Sequence, residues 1–138
     1  MMDTSAARDL LARCFAAALN AADPETAVAA CTVLTELPPT AGRVVTFALG
    51  KAAPGMARGV ARALDTPSLD GIVVSNHLDD VPAGLELIVA GHPIPDERSL
   101  SAGHALLEYG AGLTADDVAI VAISGGGSAL AEVPVPGL

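Results

Sequence analysis

The spacing of apolar residues divides the chain into two parts. Between residues 10 and 18 apolar side chains recur at helical spacing, after candidate caps at residues 3–5. Pro24 then follows Asp23, an arrangement typical of a helix start, and apolar residues continue towards Leu34 until the sequence ELPPT interrupts them. The first part of the chain is therefore predicted to form two helices.

From Arg43 onward, short apolar runs alternate with segments of helical spacing. Strands are predicted for RVVTFALG, GIVVS, LELIVAG and DDVAIVAIS, and helices for KAAPGMARGVARALD and DERSLSAGHALLEYGAG. Such alternation is typical of crossover connections in an α/β fold. We therefore expect a mainly parallel, Rossmann-like sheet with helices on both faces, preceded by two helices. Residues 1–40 form the helical lead-in and residues 41–138 the α/β core in this interpretation.

The last predicted strand is a continuous apolar run from Val118 to Ile123. Continuous runs of this length are typical of strands that are buried on both faces of a parallel sheet. We therefore expect this strand to lie inside the sheet.

Composition limits the classes of partner. The chain has 138 residues, 51% of them apolar and only 2% aromatic, so its core must be built from Ala, Val, Leu and Ile. A formal net charge of −9 argues against a nucleic-acid or anionic membrane surface. The amino terminus lacks the basic flank of a signal peptide, and a cytoplasmic location is expected. Cys14 and Cys31 lack metal-ligand spacing and are expected to be reduced and buried.

A glycine-rich loop follows the last predicted strand, and its members are Ser124, Gly125, Gly126, Gly127 and Ser128. Glycines permit unusual backbone angles and let a ligand approach the main chain closely. Consecutive N–H groups ahead of a helix can bind an anion. A flexible tight turn would have the same composition, but ligands of open α/β sheets bind beyond the carboxyl ends of the strands. The position of the loop therefore favours binding of an anionic ligand.

Two other predicted strands end in candidate site residues. Lys51 lies between the turn at Gly50 and the next helix. A cation at the start of a helix is electrostatically unfavourable, so its presence there suggests a functional role. The segment is not a Walker loop, because Ala52 replaces the Ser or Thr that binds magnesium. In AGHPIPDERS, prolines restrict the backbone after His92, which could contact substrate or simply pack. A solvated surface lysine remains the alternative interpretation for Lys51.

Several acidic residues are interpreted as structural. Asp96 is best explained as the cap of the following helix. Asp116 and Asp117 precede their strand and are expected in a turn at the opposite edge of the sheet. No set of residues in the sequence identifies metal ligands. A lysine, a His-Pro turn and a glycine loop are therefore expected on one rim, facing an anionic molecule.

The blocks GKAAPGMA, GHPIPDERS and SGGGSAL, in this order, resemble the amino-terminal domain of the glycerate 2-kinase family. Longer members of that family carry a MOFRL carboxyl-terminal domain. The resemblance covers nearly the whole chain, and each block falls at a strand end. It implies transfer of the γ-phosphoryl group of ATP to the 2-hydroxyl of D-glycerate with a divalent metal, for which we expect Mg²⁺. Lys51 would be the active-site lysine, and Ser124 to Ser128 the substrate or phosphate loop.

Two other functions are compatible with the same loops. A non-catalytic domain could bind anions or hydroxy acids with them. A hydroxypyruvate reductase would require a G-x-G-x-x-G turn and a downstream acidic residue, and neither is found. Because the family continues much further, we expect this chain to be a fragment without the rest of its domain or the MOFRL domain, and inactive by itself. A homo-oligomer is compatible with the sequence.

Overall fold

The computed structural model describes residues 3–37, 42–135 and 137 of the chain. The predicted interruption at Pro38 and Pro39 lies outside these residues. Within the described ranges, no helix has both the length and the apolar character needed to cross a membrane.

Three helices precede the sheet, where two were predicted. They are α1 (Thr4–Ala21), α2 (Pro24–Ala29) and α3 (Thr32–Thr35). The Asp23 carboxylate caps α2 by accepting a hydrogen bond of 2.8 Å from the N–H of Thr26. The predicted second helix is divided at Cys31, whose backbone is extended. The helical spacing of apolar residues continues across this break. The reason is that α2 and α3 both pack their apolar residues against the same later helix, α4 (Ala53–Ala63).

The sheet has four strands, β1 (Val44–Leu49), β2 (Ser68–Ser75), β3 (Ala83–Val89) and β4 (Val118–Ile123). Their spatial order is β3-β2-β1-β4, and every neighbouring pair is parallel. The helix α5 (Glu97–Ala111) links β3 to β4, and the short helix α6 (Gly127–Leu130) follows β4. The predicted α/β fold with a parallel sheet is confirmed.

Helices pack on both faces of the sheet. On one face, Ala53 and Ala57 of α4 pack against strand residues Ala48, Val73 and Ala122. On the other face, Ala102 of α5 packs with buried residues of β2, the end of β3 and α6, namely Ile72, Val74, Ala90 and Leu130. Small side chains bring the helices close to the sheet, which explains how a core with so few aromatic residues fills its interior.

The connection between β2 and β3 contains no helix. Residues 76–82 return across the sheet directly, although parallel neighbours are usually joined by a longer crossover. Arg58 of α4 holds this segment: Nη1 lies 3.3 Å from the Asp79 carboxylate and donates to the carbonyl of Asp80 at 2.6 Å. The same guanidinium pairs with Glu25 of α2 at 2.9 Å. One arginine therefore ties the return segment to two helices.

The amino edge of the sheet is closed by a polar network. Asp117 accepts hydrogen bonds from the N–H groups of Arg43 (2.6 Å) and Thr114 (2.8 Å). Tyr109 of α5 donates to Asp70 of β2, and burial together with this bond raises the pKa of Tyr109 to about 12. The prediction that Asp117 lies in a turn away from the glycine loop is therefore confirmed by its contacts.

Two expectations about burial are wrong. The side chains of Val121 and Ile123 are 61% and 65% exposed. The reason is that β4 is an edge strand, whereas α5 packs mainly on β2 and β3 at the other side of the sheet. Cys14 and Cys31 are both exposed. Cys14 belongs to α1, and no residue of α1 is buried. The apolar residues of α1 recur at helical spacing, but no part of the described chain buries them.

Candidate functional site

The candidate site lies at the carboxyl edge of the sheet, where the segments after β1, β3 and β4 meet. β1 ends at Leu49, and Gly50 turns the chain with a φ of 119° before Lys51 and α4. β3 leads through Ala90 and Gly91 to His92, and β4 leads into the glycine loop. All three predicted segments are therefore at one end of the sheet, as parallel strands require.

Gly126 marks the point where the three segments come together. A Cβ atom placed on Gly126 would lie 2.9 Å from Cδ2 and 3.0 Å from Nε2 of His92, and 3.4 Å from Cγ of Lys51. A Cβ atom on Gly125 would lie 3.9 Å from Cε of Lys51. The imidazole and the lysine side chain thus both lie against the glycine loop at Gly126, although β3 and β4 are the two outer strands of the sheet.

The glycine loop presents main-chain donors. Gly126 has a φ of 94°, a conformation that favours glycine, and Gly127 begins α6 and packs against Leu49. No described residue accepts a hydrogen bond from the N–H groups of Gly125, Gly126 or Gly127. Consecutive unpaired N–H groups in such a turn form a concave site for an anion.

Lys51 provides the positive charge of this rim. It is the only lysine of the sequence, it is exposed, and no described carboxylate lies within ion-pair distance of it. By contrast, Arg43, Arg58 and Arg98 are each paired with acidic side chains. The amine is therefore available to a ligand.

The turn that carries His92 is held by the start of α5. Asp96 accepts a hydrogen bond from the N–H of Arg98 at 2.9 Å, and its own N–H donates to the buried Ser99 hydroxyl at 3.2 Å. The Arg98 side chain lowers the pKa of Asp96 below its usual value. The predicted capping role of Asp96 is confirmed, and a Cβ atom on Gly91 would lie only 2.7 Å from Asp96 Cγ. The turn is therefore tightly packed beneath His92.

The two serines of the loop differ in their surroundings. The Ser124 hydroxyl accepts a hydrogen bond from the N–H of Ala52 at 3.0 Å and donates to the carbonyl of Leu49 at 3.4 Å. Ser128 is exposed on the first turn of α6. Only Ser128 has a hydroxyl free to face a ligand within the described structure.

The end of β2 adds polar groups to which the sequence analysis assigned no function. Ser75 is fully buried, and its hydroxyl lies 3.2 Å from Nδ1 of His77, which is 3.0 Å from the Asn76 side chain. The N–H of Gly50 donates to the carbonyl of Val74 immediately before them. The sequence does contain a signal for this segment. It follows β2, which lies in chain order between the strand that leads to Lys51 and the strand that leads to His92.

Among the described residues, no metal-ligand cluster lies at this rim, and an apolar groove beside β4 is separate from it. Among residues 3–37, 42–135 and 137, no group of three or more His, Cys, Asp or Glu side chains is placed to hold a metal ion. A groove of about 410 Å³ beside β4 is lined by apolar residues such as Leu34, Val60 and Val121, and includes none of the predicted site residues.

Comparisons with known proteins identify the family of the chain. Residues 10–138 match the family described as a domain of unknown function, DUF4147. A protein of Agrobacterium vitis whose name is that of a hydroxypyruvate reductase is 43% identical over 129 residues, which are 93% of this chain and 28% of that protein. The glycerate 2-kinase of Pyrococcus horikoshii is 40% identical over 98 residues, 70% of this chain and 22% of its own length.

A solved structure shows the same fold at a similar level of identity. The crystal structure of glycerate kinase from Thermotoga maritima superposes with a TM-score of 0.73 at 32% identity, covering 87% of this chain and 28% of that one. The chain spans between about a fifth and a third of the length of these relatives. The chain belongs to the DUF4147 family, and its predicted resemblance to the amino-terminal domain of the glycerate kinase family is confirmed.

Proposed function

We propose that the chain supplies the anion-binding rim of a glycerate 2-kinase, which transfers the γ-phosphoryl group of ATP to the 2-hydroxyl of D-glycerate and releases 2-phosphoglycerate. The observation that carries the proposal is the contact of Lys51, His92 and the glycine loop at Gly126. Kinase names among the relatives support the same class of reaction.

Phosphoryl transfer requires the groups that this rim contains. Negative charge is spread over the oxygens of the transferring group, and catalysis consists mostly of positioning and electrostatic stabilisation. The Lys51 amine would neutralise part of that charge, and the N–H groups of Gly125, Gly126 and Gly127 would orient the oxygens. The Ser128 hydroxyl and the His92 imidazole would contact the substrate beside them.

ATP and Mg²⁺ enter the proposal through the family resemblance. Magnesium commonly binds to nucleotide phosphates with one or two carboxylates, and neutralises charge during transfer. The described residues provide no metal-ligand cluster, so we assign no magnesium ligand among them. Its own residues are proposed to bind and orient anionic oxygens only.

The reductase name of the Agrobacterium relative is the main competing indication. Reduction with a nicotinamide cofactor requires a dinucleotide site, for which the usual first turn is G-x-G-x-x-G. Here the turn after β1 reads LGKAAPGM, and the glycine loop follows a strand at the sheet's edge. The missing G-x-G-x-x-G turn therefore argues against the reductase, whereas Lys51 could neutralise phosphate in either kind of site. A non-catalytic domain that binds hydroxy acids would use the same residues without chemistry.

The decisive experiment is a chimera in which this chain replaces the matching segment of the Thermotoga maritima kinase. We expect 2-phosphoglycerate from D-glycerate, ATP and magnesium, and no oxidation of NADH or NADPH with hydroxypyruvate. Lys51→Ala should lower kcat by about a hundredfold or more, the scale of one lost transition-state charge partner. Arg62→Ala, on the exposed side of α4, is the matched control.

Each alternative function has its own result. Hydroxypyruvate-dependent NADH oxidation by the chimera would support the reductase. Binding of D-glycerate without product would support the binding domain. An unchanged kcat in Lys51→Ala would show that Lys51 is a solvated surface lysine without a role in catalysis.

A further inference from the structure

The hydroxyl of Ser124 is used within the protein rather than presented to a ligand. It accepts the N–H of Ala52 at 3.0 Å and lies 3.4 Å from the carbonyl of Leu49, to which the N–H of Ser124 also donates at 2.8 Å. One oxygen therefore joins the end of β4 to both sides of the turn between β1 and α4. A serine hydroxyl has one donor, and the carbonyl of Leu49 is the protein acceptor on its side, at the long distance of 3.4 Å.

The bonds around Ser124 enclose Lys51. The N–H of Lys51 donates to the carbonyl of Gly125 at 3.0 Å, and the next N–H along the chain is the one that Ser124 accepts. The lysine backbone is thus fixed on the glycine loop through two consecutive N–H groups. The point from which the Lys51 side chain leaves the backbone is consequently fixed relative to the loop donors.

Gly50 and Ser124 are complementary in shape. Gly50 has a φ of 119°, and a Cβ atom placed there would lie 2.2 Å from Oγ of Ser124. The hydroxyl occupies the space that any side chain at position 50 would need. The hydroxyl of Ser124 therefore fits in its present position only because residue 50, directly before Lys51, is a glycine.

Ser124 also replaces a missing cap. Ala52, the residue before α4, has no side chain able to accept a hydrogen bond from the helix start. The Ser124 oxygen performs part of this function from a different strand. Removing the oxygen would leave the Ala52 N–H without its partner and loosen the turn that carries the lysine.

We infer that Ser124 is a positioning residue, which fixes the Lys51 turn on the glycine loop and does not itself contact the substrate. This inference rests on the proposed function for its catalytic meaning, but the position of Lys51 can be measured without any enzymatic assay. A misplacement of about 1 Å can reduce a rate by about a hundredfold, so a positioning role has a large effect.

The test uses the single lysine as a probe. Reductive methylation with ¹³C-formaldehyde gives one lysine dimethyl resonance in the 138-residue chain, separate from that of the amino terminus. In Ser124→Ala, we expect this resonance to move in the absence of any ligand. We also expect the Ala52 amide to exchange with solvent at least about tenfold faster, the scale of one lost hydrogen bond, while Ser124→Thr stays near the parent.

Two controls separate positioning from other effects. Ser101→Ala removes a hydroxyl that bonds only within α5, and should change neither signal. Asp117→Asn weakens the opposite edge of the sheet and should leave the ligand-free lysine resonance in place. If Ser124→Ala does not fold, Ser124→Cys is compared with Ser124→Thr, because sulfur is the weaker acceptor.

The outcomes distinguish this inference from the proposed function. Unchanged lysine and Ala52 signals in Ser124→Ala, with weaker binding of inorganic phosphate, would show direct contact and overturn positioning. In the chimera, positioning predicts a lower kcat for Ser124→Ala at nearly constant KM for D-glycerate. An inactive parent chimera would refute the proposed function while leaving the ligand-free measurements valid.

Discussion

Gly126 is the residue on which the geometry of the rim depends most directly. Its φ of 94° and the closeness of His92 leave no room for a side chain, whereas a Cβ atom on Gly125 would meet only Cε of Lys51, at 3.9 Å. A methyl group at position 126 would meet the imidazole and the stem of Lys51 together. Small changes here therefore displace the two side chains proposed to meet the substrate.

Gly126→Ala should weaken binding of inorganic phosphate to the chain by about tenfold or more, because strain at a positive φ and displacement of His92 act together. The measurement is a titration followed through the dimethyl resonance of Lys51. Gly110→Ala on α5, where an added Cβ atom meets nothing within 4 Å, is the control and should bind within about twofold of the parent. Equal affinity of both variants would show that the loop is only a connector.

At the scale of elements, the return segment from β2 to β3 depends on one arginine. The two ion pairs of Arg58 involve side chains that are about one-third exposed, so each contributes modestly. Its bond to the carbonyl of Asp80 adds a constraint on the backbone of residues 76–82. Local order of this segment should therefore depend on Arg58 more strongly than global stability does.

Arg58→Ala should lower the free energy of unfolding by about 1 kcal/mol and increase proteolytic cleavage within residues 76–82. Urea titration and limited proteolysis with mapping of the cleavage position measure the two effects. Arg62→Ala, one turn further along α4, should leave the cleavage pattern unchanged. Cleavage that is identical in all three proteins would contradict the proposed tie.

The turn before β4 provides a dependence of stability on pH. Hydrogen bonds from the N–H of Arg43 and then of Thr114 lower the pKa of Asp117 from 3.8 to about 2. Because the pKa is lower in the folded state, the contribution of Asp117 is present above pH 3.8 and is lost as pH falls through about 2.

Urea midpoints of the parent should therefore decrease between pH 4 and pH 2 more steeply than those of Asp117→Asn, whose side chain does not titrate. The difference between the two curves isolates this residue from the other carboxylates. Parallel curves would show that the charge of Asp117 does not stabilise the turn.

The elements were largely predictable, whereas their contacts were not. Alternating strand and helix patterns from Arg43 onward predicted the sheet, and strand ends predicted the edge that carries Lys51, His92 and the glycine loop. Periodicity could not show that Cys31 divides a helix, or that β4 lies at an edge, because both depend on packing against distant residues. The internal bonding of Ser124 likewise depends on Leu49 and Ala52, more than 70 residues away.

At the scale of the whole molecule, the described residues form the proposed anion-binding rim and a sheet with one face that is covered only in part. Phosphoryl transfer requires acceptor, nucleotide and metal to be held together with water excluded. Val121 and Ile123 remain exposed beside the rim, and the chain spans less than a third of the Thermotoga kinase. Under the proposed function, Lys51, His92 and the glycine loop would form only part of such a site.

The 138-residue chain alone should form no measurable 2-phosphoglycerate from D-glycerate, ATP and magnesium, even when circular dichroism shows that it is folded. An open rim leaves its charges screened by water, which weakens each electrostatic contact. The same assay with the chimera and with the intact Thermotoga kinase provides the comparison. Robust turnover by the short chain would show that its site is complete.

The contact between His92 and Gly126 joins segments that leave opposite borders of the sheet. A molecule bound between them would link the two outer strands of the sheet. Its binding free energy would therefore oppose local unfolding of both β3 and β4. Amide protection at both borders would then rise in step with occupancy, and a defect at either border would weaken binding at the other. Ligand affinity and the stability of the two outer strands would then be thermodynamically linked.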